Sequence, residues 1–158
     1  MHLTCAIIAK SHDEAYAILD ELVETDVLYE WYDDGYDILF TKQGEWMCSC
    51  PVRDYEYNCH PERKHDAERT WEVTVEGSPV SDDDDLYHDP KDYLLRSFKD
   101  KEELVNYVIS EHPGAFVGRD RKLYDGWNYK AGEWARMWQA EVQNANPDDM
   151  IVTFDLNT

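Results

Sequence analysis

The chain has 158 residues, and 35 acidic side chains stand against 15 basic ones, a formal charge of −20 at pH 7. Such a polyanion repels phosphate, because nucleic-acid affinity rests on Lys and Arg displacing backbone counterions, so direct DNA or RNA binding is not expected. Hydrophobic residues at 42% and aromatics at 13% supply enough apolar surface to offset chain entropy, which excludes a disordered acidic tail.

The segment Met1 to Lys10 carries no basic stretch and only a short apolar one, so it reads as a strand over Leu3 to Ala9 and not as a signal peptide. Without an export signal a cytoplasmic location is expected, with the four cysteines as reduced thiols. Ser11-His12-Asp13-Glu14 has the form of a capping box, and Ala15, Ile18, Leu19, Leu22 and Val23 behind it form one apolar stripe of a helix. Tyr36 to Thr41 and Trp46 to Cys50 are β-prone runs around Lys42-Gln43-Gly44, which predicts a hairpin. Trp71 to Val75 alternates large apolar with polar residues, as a half-buried strand does, and Gly77-Ser78-Pro79 stops it.

From Val80 to Pro90 there is little to bury and much mutual repulsion, predicting an exposed acidic loop around residues 80–90. Tyr93 to Phe98 reads as extended. Asp100 with Glu103 repeats the capping logic ahead of a helix bearing Leu104, Val105, Val108 and Ile109, which His112-Pro113-Gly114 ends. Ala115 to Gly118 and Lys122 to Tyr124 flank a second hairpin turn at Arg119-Asp120-Arg121. A third helix over Gly132 to Asn144 puts Trp134, Trp138 and Val142 on one face, and Met150 to Leu156 makes a final strand. The pattern is a single α+β domain, an antiparallel or mixed sheet with hairpins packed against about three helices. No stretch approaches a membrane span.

Three constellations bear on chemistry. The acidic clusters Asp33, Asp34 and Asp37, and Asp82, Asp83, Asp84 and Asp85, are carboxylates that can stand where phosphates stand in the basic groove of another protein; solvation alone also accounts for them. Arg119, Arg121 and Lys122 form a compact basic spot near Tyr124, Trp127 and Tyr129, with Lys130 and Arg136 further along, a composition that suits an anionic nucleotide through charge-assisted bonds and stacking. Cys48, Cys50, Cys59 and His60 are possible zinc ligands, but paired structural cysteines are usually spaced by two to four residues and here one intervenes. Small hydrophobes near a sheet edge explain the pair more simply, so neither metal nor other cofactor is expected. A phosphate loop or a metal triad of a hydrolase is not found either.

The run Ala115 to Trp127, the Trp-bearing helix after it and the terminal Ile151-Val152-Thr153-Phe154-Asp155 resemble the C-terminal half of small uncharacterised phage and prophage proteins. Tyr29-Glu30-Trp31-Tyr32 is similar to their Trp-Tyr segment, which there continues into Gly-Gly-Arg-Trp where this chain has Asp33-Asp34-Gly35. The resemblance implies a mobile-element origin and an accessory protein acting on host machinery. Together with the charge, it leads to a non-enzymatic inhibitor of a host nucleic-acid-binding defence complex, of anti-CRISPR or anti-restriction type. Such an inhibitor acts as a DNA mimic, through acidic mimicry of the phosphate backbone, against a basic nucleic-acid-binding host protein. The alternatives are a binder that sequesters an anionic signal nucleotide at Arg119, Arg121, Lys122 and Trp127, and a small metal-dependent enzyme using the Cys/His cluster.

Overall fold

A central strand covered on both faces organises the molecule. The structure, a computed structural model, describes residues 2–24, 36–37, 49–77 and 89–157. Strand β1 (His2–Ala9) pairs along its whole length with antiparallel β6 (Met150–Asn157) on one side and with parallel β4 (Ala115–Val117) on the other. Beyond β4 lies antiparallel β5 (Leu123–Asp125), and beyond β6 lie two short segments, β2 (Tyr36–Asp37) and β3 (Cys50–Pro51). The sheet is therefore mixed, and the domain is α+β as its sequence pattern predicts.

Strand pleating sends alternate residues to opposite faces. Cys5, Ile7 and Ala9 of β1, with Val152 and Phe154 of β6, meet helix α1 (His12–Glu24) through Ala15, Ile18, Leu19 and Leu22. Burial of Ile18 and Leu19 contributes on the order of 2 kcal/mol each. Ser11 Oγ accepts from the Glu14 amide and the Glu14 carboxylate accepts from the Lys10 amide, so the predicted N-terminal cap is present. Ala6, Phe116 and Ile151 face the other way, against Trp134, Trp138 and Val142 of helix α5 (Ala131–Asn144) and Tyr55. Strand β1 reads as nearly continuous apolar sequence because both its faces are covered.

Three helices pack beyond α5: α2 (Lys64–Trp71), α3 (Pro90–Ser97) and α4 (Lys101–Ile109). They share a smaller core of Trp71, Leu94, Phe98 and Leu104. No helix among the described residues is long and apolar enough to cross a membrane.

Two expectations are corrected. The strand expected over Trp71 to Val75 is helical: α2 runs on into a wider π-helical turn over Glu72–Glu76. The i, i+4, i+8 set Ala67, Trp71 and Val75 packs inward while Val73 is 60% exposed, so the helical period outcompetes the alternation. The extended run over Tyr93 to Phe98 falls on α3, which Asp89 caps through the Lys91 amide with Pro90 in the first turn. There Leu94 and Phe98 are buried four residues apart, and Tyr93 and Leu95 are exposed. Of the expected first hairpin, residues 38–48 lie outside the described residues; the described ends, β2 and β3, each run antiparallel to β6. The second hairpin, β4–β5, forms as expected, with Arg121 in the left-handed region at φ 62°.

Candidate functional site

The feature that organises the surface begins at the buried side chain of Asp125, at the end of β5. Its two carboxylate oxygens accept from the Trp127 amide at 3.0 Å and from Asn128 Nδ2 at 2.6 Å. The short 3₁₀ turn Gly126–Asn128 is thereby fixed, and it holds Trp127 outward with its side chain 77% exposed. An exposed indole on a pinned turn loses little conformational freedom when a ligand covers it.

Trp127 forms one wall of a cleft of about 830 Å³. Tyr93 and Arg96 from α3, Tyr129 and Lys130 at the entry to α5, and Tyr107 and His112 from α4 and the segment after it complete the lining. The floor is rigid. Trp134 Nε1 donates to the Pro113 carbonyl at 2.8 Å, the Gly126 amide donates to the Gly114 carbonyl at 2.8 Å, and the Tyr129 and Trp134 rings stack at 5.8 Å. A Cβ on Gly114 would press on Leu3 Cδ1, so the Leu3 side chain would have to shift to admit one.

The charge of the lining is opposite to that of the chain. In a protein with 35 acidic residues, the described residues of the cleft lining include two cations, Arg96 and Lys130, and no carboxylate. Planar aromatic faces beside cations form a setting for a flat, anionic ligand, which stacks on the rings and pairs with the cations.

Next to the cleft, the segment Tyr55 to His60 is laced to the end of α4. The His60 amide donates to the Ile109 carbonyl, the Glu111 amide donates to the Tyr57 carbonyl, and Tyr55 Oη donates to the Glu111 carbonyl at 3.0 Å. Tyr55 Oη in turn accepts from Trp138 Nε1 at 2.8 Å. His60 Nε2 bonds Glu111 Oε1, and Glu62 lies 3.5 Å from the Nδ1 of the same ring. Burial pushes the Glu111 carboxyl up, and the hydrogen bond from His60 opposes that shift. His112 stacks on Tyr107 at 4.5 Å, and burial holds its imidazole below the ordinary 6.5.

The sequence-derived site residues are distributed as follows. Asp33, Asp34 and Asp82 to Asp85 lie outside the described residues, as does the acidic loop around 80–90 up to His88. Asp37 is described at the backbone alone, where it pairs with Asp155 of β6. Of the nucleotide set, Trp127 lines the cleft, while Arg119, Arg121 and Lys122 occupy the β4–β5 turn and line none of it. That turn is internally satisfied: Asp120 accepts from the Lys122 amide and, at 2.6 Å, from Tyr124 Oη, and Arg121 sits 3.8 Å from Glu14. This bond holds the Asp120 carboxyl low and pushes the Tyr124 hydroxyl up to about 12. The cations that accompany Trp127 are Arg96 and Lys130.

Of the zinc set, Cys48 lies outside the described residues, Cys50 packs against the α5 face of the sheet, and Cys59 Sγ donates to the Glu56 carbonyl. His60 is engaged by carboxylates, and no group of three His, Cys, Asp or Glu side chains with metal-binding proximity occurs among the described residues. Sequence reasoning missed Arg96, Tyr93, Ser110 and Glu111. The first two were hidden by reading α3 as extended; the others carry no motif. Comparison with protein-family models, curated proteins and solved structures finds no match, so the functional reading rests on this geometry.

Proposed function

We propose that the protein binds a small anionic aromatic ligand of the nucleotide class in the Trp127 cleft, as a non-enzymatic binding protein. The observation that carries this reading is the local reversal of charge: two cations and several exposed or half-buried rings line an 830 Å³ cavity, with no carboxylate among the described residues of its wall, in a chain of charge −20. The base would stack on Trp127 and Tyr93, and phosphate oxygens would pair with Arg96 and Lys130. Its volume falls in the range of about 300–1,000 Å³ usual for small-molecule sites. Melting curves of the purified chain across a panel of linear and cyclic nucleotides test it. A ligand at a hundred times its Kd should stabilise the fold by about 2.7 kcal/mol. Arg96→Ala with Lys130→Ala should remove that shift while leaving the ligand-free Tm nearly unchanged, since both side chains are exposed. No shift with any nucleotide counts against the reading.

The −20 charge favours a second reading, that of an acidic inhibitor occupying the basic groove of a nucleic-acid-binding host protein through Asp33, Asp34, Asp37 and Asp82 to Asp85. The likeness of Ala115 to Trp127 to small phage proteins supports the same role. Replacing Asp82 to Asp85 by asparagine should slow association with such a partner and flatten its salt dependence. Binding that is insensitive to both the substitutions and salt would leave the acidity as solvation.

A further inference from the structure

A second cavity, of about 420 Å³, shares Tyr107 and His112 with the aromatic cleft and is otherwise lined by His60, Arg63, Val108, Ser110 and Glu111. Its chemistry is polar where the cleft is aromatic. Ser110 is 5% exposed, and its hydroxyl is the one buried side-chain oxygen or nitrogen among the described residues without a hydrogen-bond partner. Buried hydroxyls are ordinarily satisfied, and this one belongs to a residue of the cavity wall. The Glu111 carboxylate is already engaged by His60. Arg63 lines the same wall, forms no ion pair with a described carboxylate and acts on Glu111 only as a nearby positive charge. One ring nitrogen of His112 bonds the Tyr107 backbone, which leaves the neutral imidazole a second nitrogen as acceptor.

We infer that this chamber is a binding site for a small hydroxylated oxyanion, a phosphorylated polyol or a hydroxy acid. Arg63 holds the anionic group, and Ser110 and His112 hold hydroxyls. At about 30 Å³ per water the cavity has room for roughly a dozen waters, enough for a ligand of this size and more than a bare phosphate fills. Tyr107 and His112 line both cavities, but Trp127, Arg96 and Lys130 take no part in this site, so the anion-holding residues of the two readings differ.

Amide NMR titration of the full chain with glycerol 3-phosphate, with glycerate and with glycerol provides the test. Either oxyanion should move the signals of Ser110, Glu111 and His112 and bind at least about tenfold more tightly than glycerol, a margin set by the charge-assisted bonds to Arg63. The stronger of the two identifies the anionic group. Arg63→Ala should erase the margin, and Trp127→Ala should leave it intact. Ser110→Ala should weaken binding several-fold and raise the ligand-free Tm, since it deletes a buried hydroxyl that has no partner. Glycerol binding as tightly as the oxyanions, or a margin unchanged in Arg63→Ala, overturns the proposal. A lower ligand-free Tm in Ser110→Ala overturns it as well, because the hydroxyl would then already be satisfied within the fold.

Discussion

Tyr55 links the core to the candidate sites. Its hydroxyl accepts from the fully buried Trp138 indole and donates to the Glu111 carbonyl, so one oxygen ties α5 to the segment that presents Glu111 and His112. Tyr55→Phe leaves a buried N–H and a carbonyl unpaired, and chemical denaturation should show a loss of about 1–3 kcal/mol. His112 makes a pH prediction. Its folded-state pKa is lowered by burial from 6.5, so the unfolded chain takes the proton first. Its contribution is fully present above 6.5 and is lost as pH falls through the depressed value. The stability of His112→Asn should therefore change less than that of the parent over this window, and the difference between the two profiles isolates the imidazole. Glu111 works with the opposite sign. Its raised pKa gives a contribution present below 4.5 and lost as pH rises through the folded value.

Elements with strong local signals were legible in the sequence. The capping serine and the i, i+3, i+4 stripe predict α1, the tryptophan spacing predicts α5, and apolar runs predict β1 and β6. The Asp100 cap is also as expected, its carboxylate accepting from the Glu103 amide at 2.9 Å. What misled was short segments satisfying two periods at once: Trp71-Glu72-Val73-Thr74-Val75 alternates, yet Ala67, Trp71 and Val75 also share a helical face. Only the neighbouring helices, which bury one set and leave Val73 in water, decide between them. The cleft was half legible. Trp127, Tyr129 and Lys130 are close in sequence, but Tyr93 and Arg96 come from a helix that tertiary packing selected.

Contact between α4 and α5 reverses an ordinary helix rule. Alanine at Gly132 would usually stabilise α5 by about 1 kcal/mol. Here its Cβ would stand 1.9 Å from Glu103 Oε1 and 2.3 Å from Glu103 Cγ, displacing a buried carboxylate that pairs with Arg136 at 3.5 Å. Gly132→Ala should lower the Tm, and Gly132→Ala combined with Glu103→Ala should recover part of the loss, because the smaller side chain clears the contact.

At the scale of the whole molecule, the strong negative field and the small cationic cleft have opposed effects on an anionic ligand. Long-range repulsion slows its approach, while contact with Arg96 and Lys130 favours its retention. Added salt should therefore raise the association rate of a nucleotide until screening also weakens the contacts, the reverse of the uniform decline expected for a basic macromolecule meeting the same surface. Stopped-flow binding at several ionic strengths separates these behaviours.

The most direct measurement is an amide NMR titration comparing adenosine monophosphate with adenosine. The cleft reading predicts shifts concentrated at Arg96, Trp127 and Lys130, and about tenfold tighter binding of the charged nucleotide. Equal affinity for the two, or shifts centred on Arg119 to Lys122 at the β4–β5 turn, would contradict it.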